Sequence, residues 1–339
     1  MRPLTVRRLL WTCGGLAVLL LACVVLALKL GAVPVSVTDI VLDLGRIGIG
    51  RTNELPTEYR LIVFDLRLPR IILGVLVGAA LSVAGASYQA LLRNPLADPY
   101  VLGVSSGAAV GSILALIFAR GIALATPLGA FVGAGATIAG VYYLGRREGQ
   151  LDTTTLLLGG VVCMSFFSAM VMFLTTTLVG RDLRGVTFWL MGDLSTPVSA
   201  PMQWIFTVGL LAGVGAIYST SADLNLLLTG EREAVHLGVD VTRVKLVVYV
   251  SASLLTALAV STSGAIGYVG LLVPHIVRLI FGSDYRLLIP ASALCGAIAV
   301  VLADTLARTI APPTELPVGA MTAMAGAPVF IYLLRRGLR

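Results

Sequence analysis

The sequence predicts an all-α polytopic membrane protein of about ten transmembrane helices, organised as a single domain over residues 1–339. Three observations carry that prediction. Hydrophobic residues make up 58% of the chain and charged residues 12%, with a mean hydropathy of +0.97, far from an ordinary soluble domain. Apolar stretches long enough to cross a hydrocarbon core of roughly 30 Å recur about ten times. Glycine repeats at four-residue spacing within them, which places small residues on one stripe and lets helix backbones approach closely in lipid. A soluble fold is excluded because 339 residues enclose too little interior to hide so many segments of spanning length.

In chain order the spans are expected near 9–29, 71–92, 101–118, 123–144, 154–178, 202–219, 246–263, 265–281, 287–304 and 318–334. The glycine stripes fall inside them: Gly74 with Gly78, Gly103 with Gly107 and Gly111, Gly129 with Gly133, and Gly209 with Gly213. Asn94-Pro95 and Pro274-His275 read as helix breakers, because proline removes an amide and biases its predecessor away from helix. The joint at Ser263-Gly264 is the shortest. Cys13, Cys23, Cys163 and Cys295 lie within apolar segments without close pairing and read as small buried hydrophobes.

Ten crossings put both termini on one side, and basic residues favour the cytoplasmic side. With cytoplasmic termini the inner loops hold Arg93, Arg146, Arg147, Arg232, Arg243, Lys245, Arg278 and Arg286, and the tails add Arg2, Arg7, Arg8, Arg335, Arg336 and Arg339. The first outer loop, about 30–70, runs against that rule with Arg46, Arg51, Arg60, Arg67 and Arg70 interleaved among acids. A violation so local gives the outer arginines a function of their own.

Several functions are excluded by what the chain lacks. Of its 24 basic residues only Lys29 and Lys245 are lysines, and neither stands in a Gly-Lys-Ser/Thr sequence, so there is no Walker A site here. If ATP drives this protein, another subunit hydrolyses it. Two histidines on separate loops offer neither a catalytic base with a partner nor a metal site. The scattered arginines form no nucleic-acid patch. An alternative is a proton- or sodium-coupled secondary transporter working without partners, which needs carboxylates within the spans. The spans are almost clear of them, and Asp304 with Arg308, one turn apart, reads as an interfacial pair.

One loop is unlike the others. Gly230 to Lys245, within a cytoplasmic segment of about 221–245, carries Glu231, Arg232, Glu233, His236, Asp240 and Arg243. Thr229 is placed to cap a short helix, Glu231 and Glu233 sit in its first turn where the helix dipole favours acids, and Gly238 can end it after two turns. A rigid charged helix displayed between two spans is suited to contact with a soluble partner.

The motifs then fall into a known order. Arg67-Leu68-Pro69-Arg70, Gln89 to Pro99, Leu102-Gly103-Val104-Ser105-Ser106-Gly107, Gly230-Glu231 to Leu237-Gly238, Gly264 to Leu271, Pro274-His275, Asp304 with Arg308, Glu315 to Gly319 and Gly326-Ala327-Pro328 follow one another. The chain resembles the FecCD-type permeases of ABC importers for iron-siderophores, haem and vitamin B12, from about Arg67 to the C-terminus. The resemblance implies a type II importer permease in the inner membrane, paired as a homodimer or with a related permease. It implies two cytoplasmic ATPase subunits that hold ATP and Mg, no cofactor or metal in this chain, and a periplasmic or lipid-anchored binding protein.

Residue by residue, the resemblance makes Gly230, Glu231, Arg232, Leu237 and Gly238 the ATPase-coupling surface. Arg67, Arg70 and Arg308 match arginines that grip acidic residues of the binding protein, a role suited to a planar fork that stays charged. The competing explanation is that Arg67 and Arg70 merely snorkel at the head of the second span. By position, Thr153 and Thr154 match a cytoplasmic gate, although Thr153 is also placed to cap its helix.

Overall fold

The structure is a computed structural model that describes residues 5–31, 61–119, 121–122, 124–147, 150–176, 181–196, 198–311 and 314–337. Most of the first outer loop, including Arg46, Arg51 and Arg60, lies outside the described residues.

Helix α1 (Val6–Lys29) is followed by a π-helical turn, Leu61–Arg67, that runs straight into α2 (Leu68–Leu91). A 3₁₀ turn, Pro99–Leu102, leads into α3 (Val104–Phe118), then α4 (Ala125–Gly145). Two-residue strands, Arg146–Arg147 and Gln150–Leu151, pair antiparallel before α5 (Thr153–Thr175). The remaining helices are α6 (Arg181–Leu190), α7 (Ala200–Ser219), α8 (Ser221–Leu227), α9 (Glu231–His236), α10 (Val241–Ser263), α11 (Val269–Phe281), α12 (Tyr285–Thr309) and α13 (Val318–Gly337). Seven are long and apolar enough to span a membrane by themselves, and α3, α11 and α13 are shorter apolar helices. Each of the ten expected spans has its helix.

Helix α2 is the hub, packed against α10, α11 and α12. Both α2 and α10 are almost wholly enclosed by protein, whereas α1 and α5 leave most of their surface open. Open apolar faces cost nothing against lipid, so the enclosed helices mark the centre of the bundle.

The glycine stripes work as expected between α3 and α4. A Cβ on Gly107 would meet the Gly133 carbonyl at 2.9 Å, and Gly111 faces the Gly129 carbonyl in the same way. Gly103 departs from the expected stripe: it takes φ +74 at the junction of the 3₁₀ turn with α3. The 3₁₀ turn is why α3 starts three residues later than its apolar run.

Two breakers behave differently. Asn94-Pro95 does follow the end of α2, with Asn94 Oδ1 accepting from the Leu96 amide at 2.9 Å. Pro274 lies inside α11 rather than at its end. Its missing N–H releases the Gly270 carbonyl from the helix ladder, and that carbonyl is where the α2 backbone presses in at Gly85.

Between α10 and α11, Gly264 to Tyr268 is not helical, with Gly264 at φ +64 and Tyr268 at φ +66. The joint is fixed rather than loose. The Tyr100 hydroxyl accepts from the Ile266 amide at 3.1 Å and donates to the Ile266 carbonyl at 3.2 Å, and the Asp193 amide donates to the Ser263 carbonyl at 2.8 Å.

Candidate functional site

At one end of the bundle α9 stands on a clamp. Gly230, at φ +144, opens the helix, and the expected cap Thr229 instead donates to the Leu226 carbonyl at 2.7 Å, closing α8. Gly238 ends the helix as expected, at φ +87. The Val239 amide donates to Ala234 O and the Gly238 amide to Val235 O, both at 3.0 Å, which satisfies the last carbonyls. The helix is shorter than the two turns expected, with six residues.

Glu231, half-buried, reaches back to the bundle. Its Oε1 lies 2.8 Å from Lys245 Nζ and 3.4 Å from Arg93 Nη2, so one carboxylate ties α9 to the start of α10 and the end of α2. Lys245 also donates to the Leu151 carbonyl at 3.4 Å, immediately before α5. The opposite side of α9 is open. Arg232, Val235, Leu237 and Gly238 are exposed, Val235 by 58% and Leu237 by 63%. A cleft of about 520 Å³ runs beside them, lined by Glu231, Arg232, His236, Asp240 and Lys245. Val235 and Leu237 thus stand exposed among charged residues at the tip of this helix.

The other end gathers the three arginines. Arg67 Nη1 donates to the Leu28 carbonyl at 2.7 Å and Arg308 Nη2 to the Ala27 carbonyl at 3.3 Å, so both cap the last turn of α1, where orphan carbonyls favour a cation. Asp304 stands between two guanidinium groups, Arg70 Nε at 2.8 Å and Arg308 Nε at 3.0 Å. Arg70 Nη1 reaches Glu315 at 2.6 Å. The Arg308 Nε contact is an ion pair without hydrogen-bond alignment. Neither Arg67 nor Arg70 snorkels: both turn into protein. The Asp304–Arg308 pair, in the last turns of α12, is likewise enclosed by protein, with side chains 3% and 6% exposed.

Thr153 and Thr154 are the first two residues of α5. The cap of that helix is Asp152, whose carboxylate accepts from the Thr155 amide at 2.9 Å and from the Thr155 hydroxyl. Thr153 therefore does not cap. Thr154 is exposed and Thr153 half-buried.

Sequence reasoning missed a polar thread that runs from α8 into the hub. Asn225 donates to Asp284 Oδ1 and accepts from the Tyr285 amide, each at 2.9 Å. The Tyr285 hydroxyl lies 3.5 Å from Arg278, which donates to Gln89 Oε1 at 3.0 Å. Gln89 in turn donates to the Leu271 carbonyl at 3.1 Å. Hydrogen bonds from Arg286 hold the Asp284 carboxyl below its ordinary range, against the opposing effect of burial. Burial pushes Asp98, ahead of the 3₁₀ turn, up to about 6 despite its bond from the Tyr100 amide. The only signal for this thread was the presence of polar residues at the ends of apolar runs.

The described residues form a polytopic helical bundle with a charged helix displayed at one end and an enclosed arginine–carboxylate cluster at the other. Residues 19–336 match the FecCD transport family. The chain belongs to that family and is an ABC importer permease of its type. It is 44% identical over 280 residues to the cobalamin import system permease protein BtuC of Halobacterium salinarum, covering 83% of this chain and 75% of that one. It is 38% identical over 312 residues to the vitamin B12 import system permease protein BtuC of Salmonella paratyphi A, covering 92% and 95%. Among solved structures, a metal-chelate type ABC transporter in an inward-facing conformation aligns at a TM-score of 0.81 with 32% identity, covering 96% of this chain and 99% of that one.

Proposed function

We propose that this chain is the membrane-spanning subunit of an ATP-driven importer that moves a large metal chelate from periplasm to cytoplasm. Within the class of iron-siderophores, haem and corrinoids, we propose a corrinoid, since cobalamin is the cargo in the names of two relatives. On this reading the chain sits in the inner membrane with both termini cytoplasmic and pairs with a second copy. Two ATPase subunits dock on Glu231, Arg232, Leu237 and Gly238, a binding protein docks at Arg67, Arg70 and Arg308, and Thr153 and Thr154 narrow the cytoplasmic exit.

The observation that carries the reading is the Glu231 clamp. From α9 the contacts run through Lys245 to the Leu151 carbonyl, two residues before Thr153. A partner that moves α9 thus pulls on the start of the helix that bears the gate. Two ATPase states that contact α9 differently supply the driving free energy, and no bond is made or broken in this chain.

The secondary-transporter alternative has less support. Asp304, the one acid within the ten spans, is already engaged by two guanidinium groups, a poor arrangement for an ion that must come and go. Reconstitution in liposomes with the ATPase and the binding protein tests the choice. ATP-dependent uptake of cobalamin exceeding that of a ferric siderophore and of haem is expected. Uptake by this chain alone, following a proton or sodium gradient, would overturn the proposal.

A further inference from the structure

We propose that Glu315 is an internal occupant of the arginine site, held on Arg70 until a carboxylate of the docking partner displaces it. The inference rests on reading Arg67, Arg70 and Arg308 as the surface that receives the binding protein.

The four charged groups are not equivalent. Asp304 is rooted in α12, is 3% exposed, and has an oxygen on each of Arg70 and Arg308. It cannot leave without stranding two buried cations. Glu315 differs in every respect. It lies on the non-helical stretch between α12 and α13, its side chain is 47% exposed, and among the described residues it pairs with Arg70 alone, through one Nη1 contact at 2.6 Å. An ion pair with one partner this open is weak and exchangeable.

Room for the exchange exists beside it. A cleft of about 200 Å³, lined by Asp65, Leu66, Arg70, Ser195, Thr196 and Glu315, opens next to the guanidinium. A carboxylate entering there can take the position of Glu315 on Nη1 while Arg70 Nε keeps Asp304. The Arg70 guanidinium stays doubly engaged throughout: by Asp304 and Glu315 at rest, and by Asp304 and the partner's carboxylate when docked. A guanidinium already engaged at rest does not recruit acidic proteins at large, so Glu315 makes docking depend on shape as well as charge.

The test uses the full importer complex in nanodiscs and its own binding protein, with association and dissociation followed by interferometry. Glu315→Gln is expected to tighten binding about threefold, because the competing charge is gone. Asp65→Asn alters the charge at the same rim by the same amount and is expected to have a smaller effect. Arg70→Lys, which keeps the charge but loses the fork, is expected to weaken binding about tenfold. Glu315→Gln binding no tighter than wild type, or Asp65→Asn matching it, overturns the inference while the Arg70→Lys loss leaves the docking surface in place. If Arg70→Lys and Arg308→Lys both bind as wild type, the docking reading itself falls, and the role of Glu315 with it.

Discussion

Replacing Glu231 by glutamine removes a charge without changing shape, and the geometry sets what that costs. A solvent-exposed ion pair contributes roughly 0.2–1 kcal/mol, whereas removing one partner of a buried pair costs roughly 3–5 kcal/mol. The Glu231–Lys245 pair lies between these limits, since the Lys245 side chain is 8% exposed and that of Glu231 40%. After the substitution Lys245 keeps the Leu151 carbonyl at 3.4 Å and, among the described residues, no carboxylate. We expect a loss of about 1–2 kcal/mol, discounted for the open side of Glu231, and a fall in melting temperature of a few degrees.

The cycle with Lys245→Met separates the pair from its surroundings. Methionine removes the buried ammonium, so Glu231→Gln in that background is expected to cost only a few tenths of a kcal/mol, giving a coupling of about 1 kcal/mol. Arg232→Ala is the functional contrast, because Arg232 is exposed. It should leave the melting temperature unchanged yet lower the ATPase stimulation measured in the reconstituted complex. Glu231→Gln should lower both. Unchanged melting, unchanged ATPase stimulation and no coupling in the cycle would together refute the clamp.

Two further substitutions probe the bundle. Gly133→Val drives a side chain against the Gly107 carbonyl and the Gly111 Cα, backbone that cannot yield, and should cost about 1–3 kcal/mol in thermal denaturation. Gly135→Val, with open space at the same depth of α4, should cost nothing comparable. Asp98 is an acid whose folded pKa, about 6, lies above the ordinary 3.8, so the native state is favoured at low pH and loses stability as pH rises from about 4 to 6. Asp98→Asn should therefore raise the melting temperature at pH 7–8, flatten the profile across that window, and make little difference below pH 4.

The ten spans were legible because crossing a hydrocarbon core demands a long apolar run in the sequence, whatever packs against it. The end of α9 was legible too, since a helix stopping at Gly238 needs a residue that tolerates positive φ. Partners distant in sequence were not. Arg308 with Asp304 lies one turn apart, but Arg70 with Asp304 is separated by 234 residues, and nothing local announces that contact. The amphipathic α6 was missed because Arg181-Asp182 and Arg184 break its apolar run, giving the pattern of a loop. Pro274 was misread because proline costs a packed helix one ladder bond rather than its continuation, and here α2 packs at Gly85 directly against the freed Gly270 carbonyl.

The joint between α10 and α11 shows how far that reasoning extends. Irregular backbone within a bundle of spans is stable only where protein supplies its hydrogen bonds. Here a single hydroxyl, that of Tyr100, serves both the amide and the carbonyl of Ile266. Tyr100→Phe keeps the ring and deletes that service, leaving two buried backbone groups unpaired at a cost of about 1–3 kcal/mol. Local opening should then dominate over global unfolding, so amide exchange at residues 264–268 should quicken by an order of magnitude or more while α2 stays protected. Exchange unchanged across the joint would mean that the backbone holds itself and that Tyr100 is only filler.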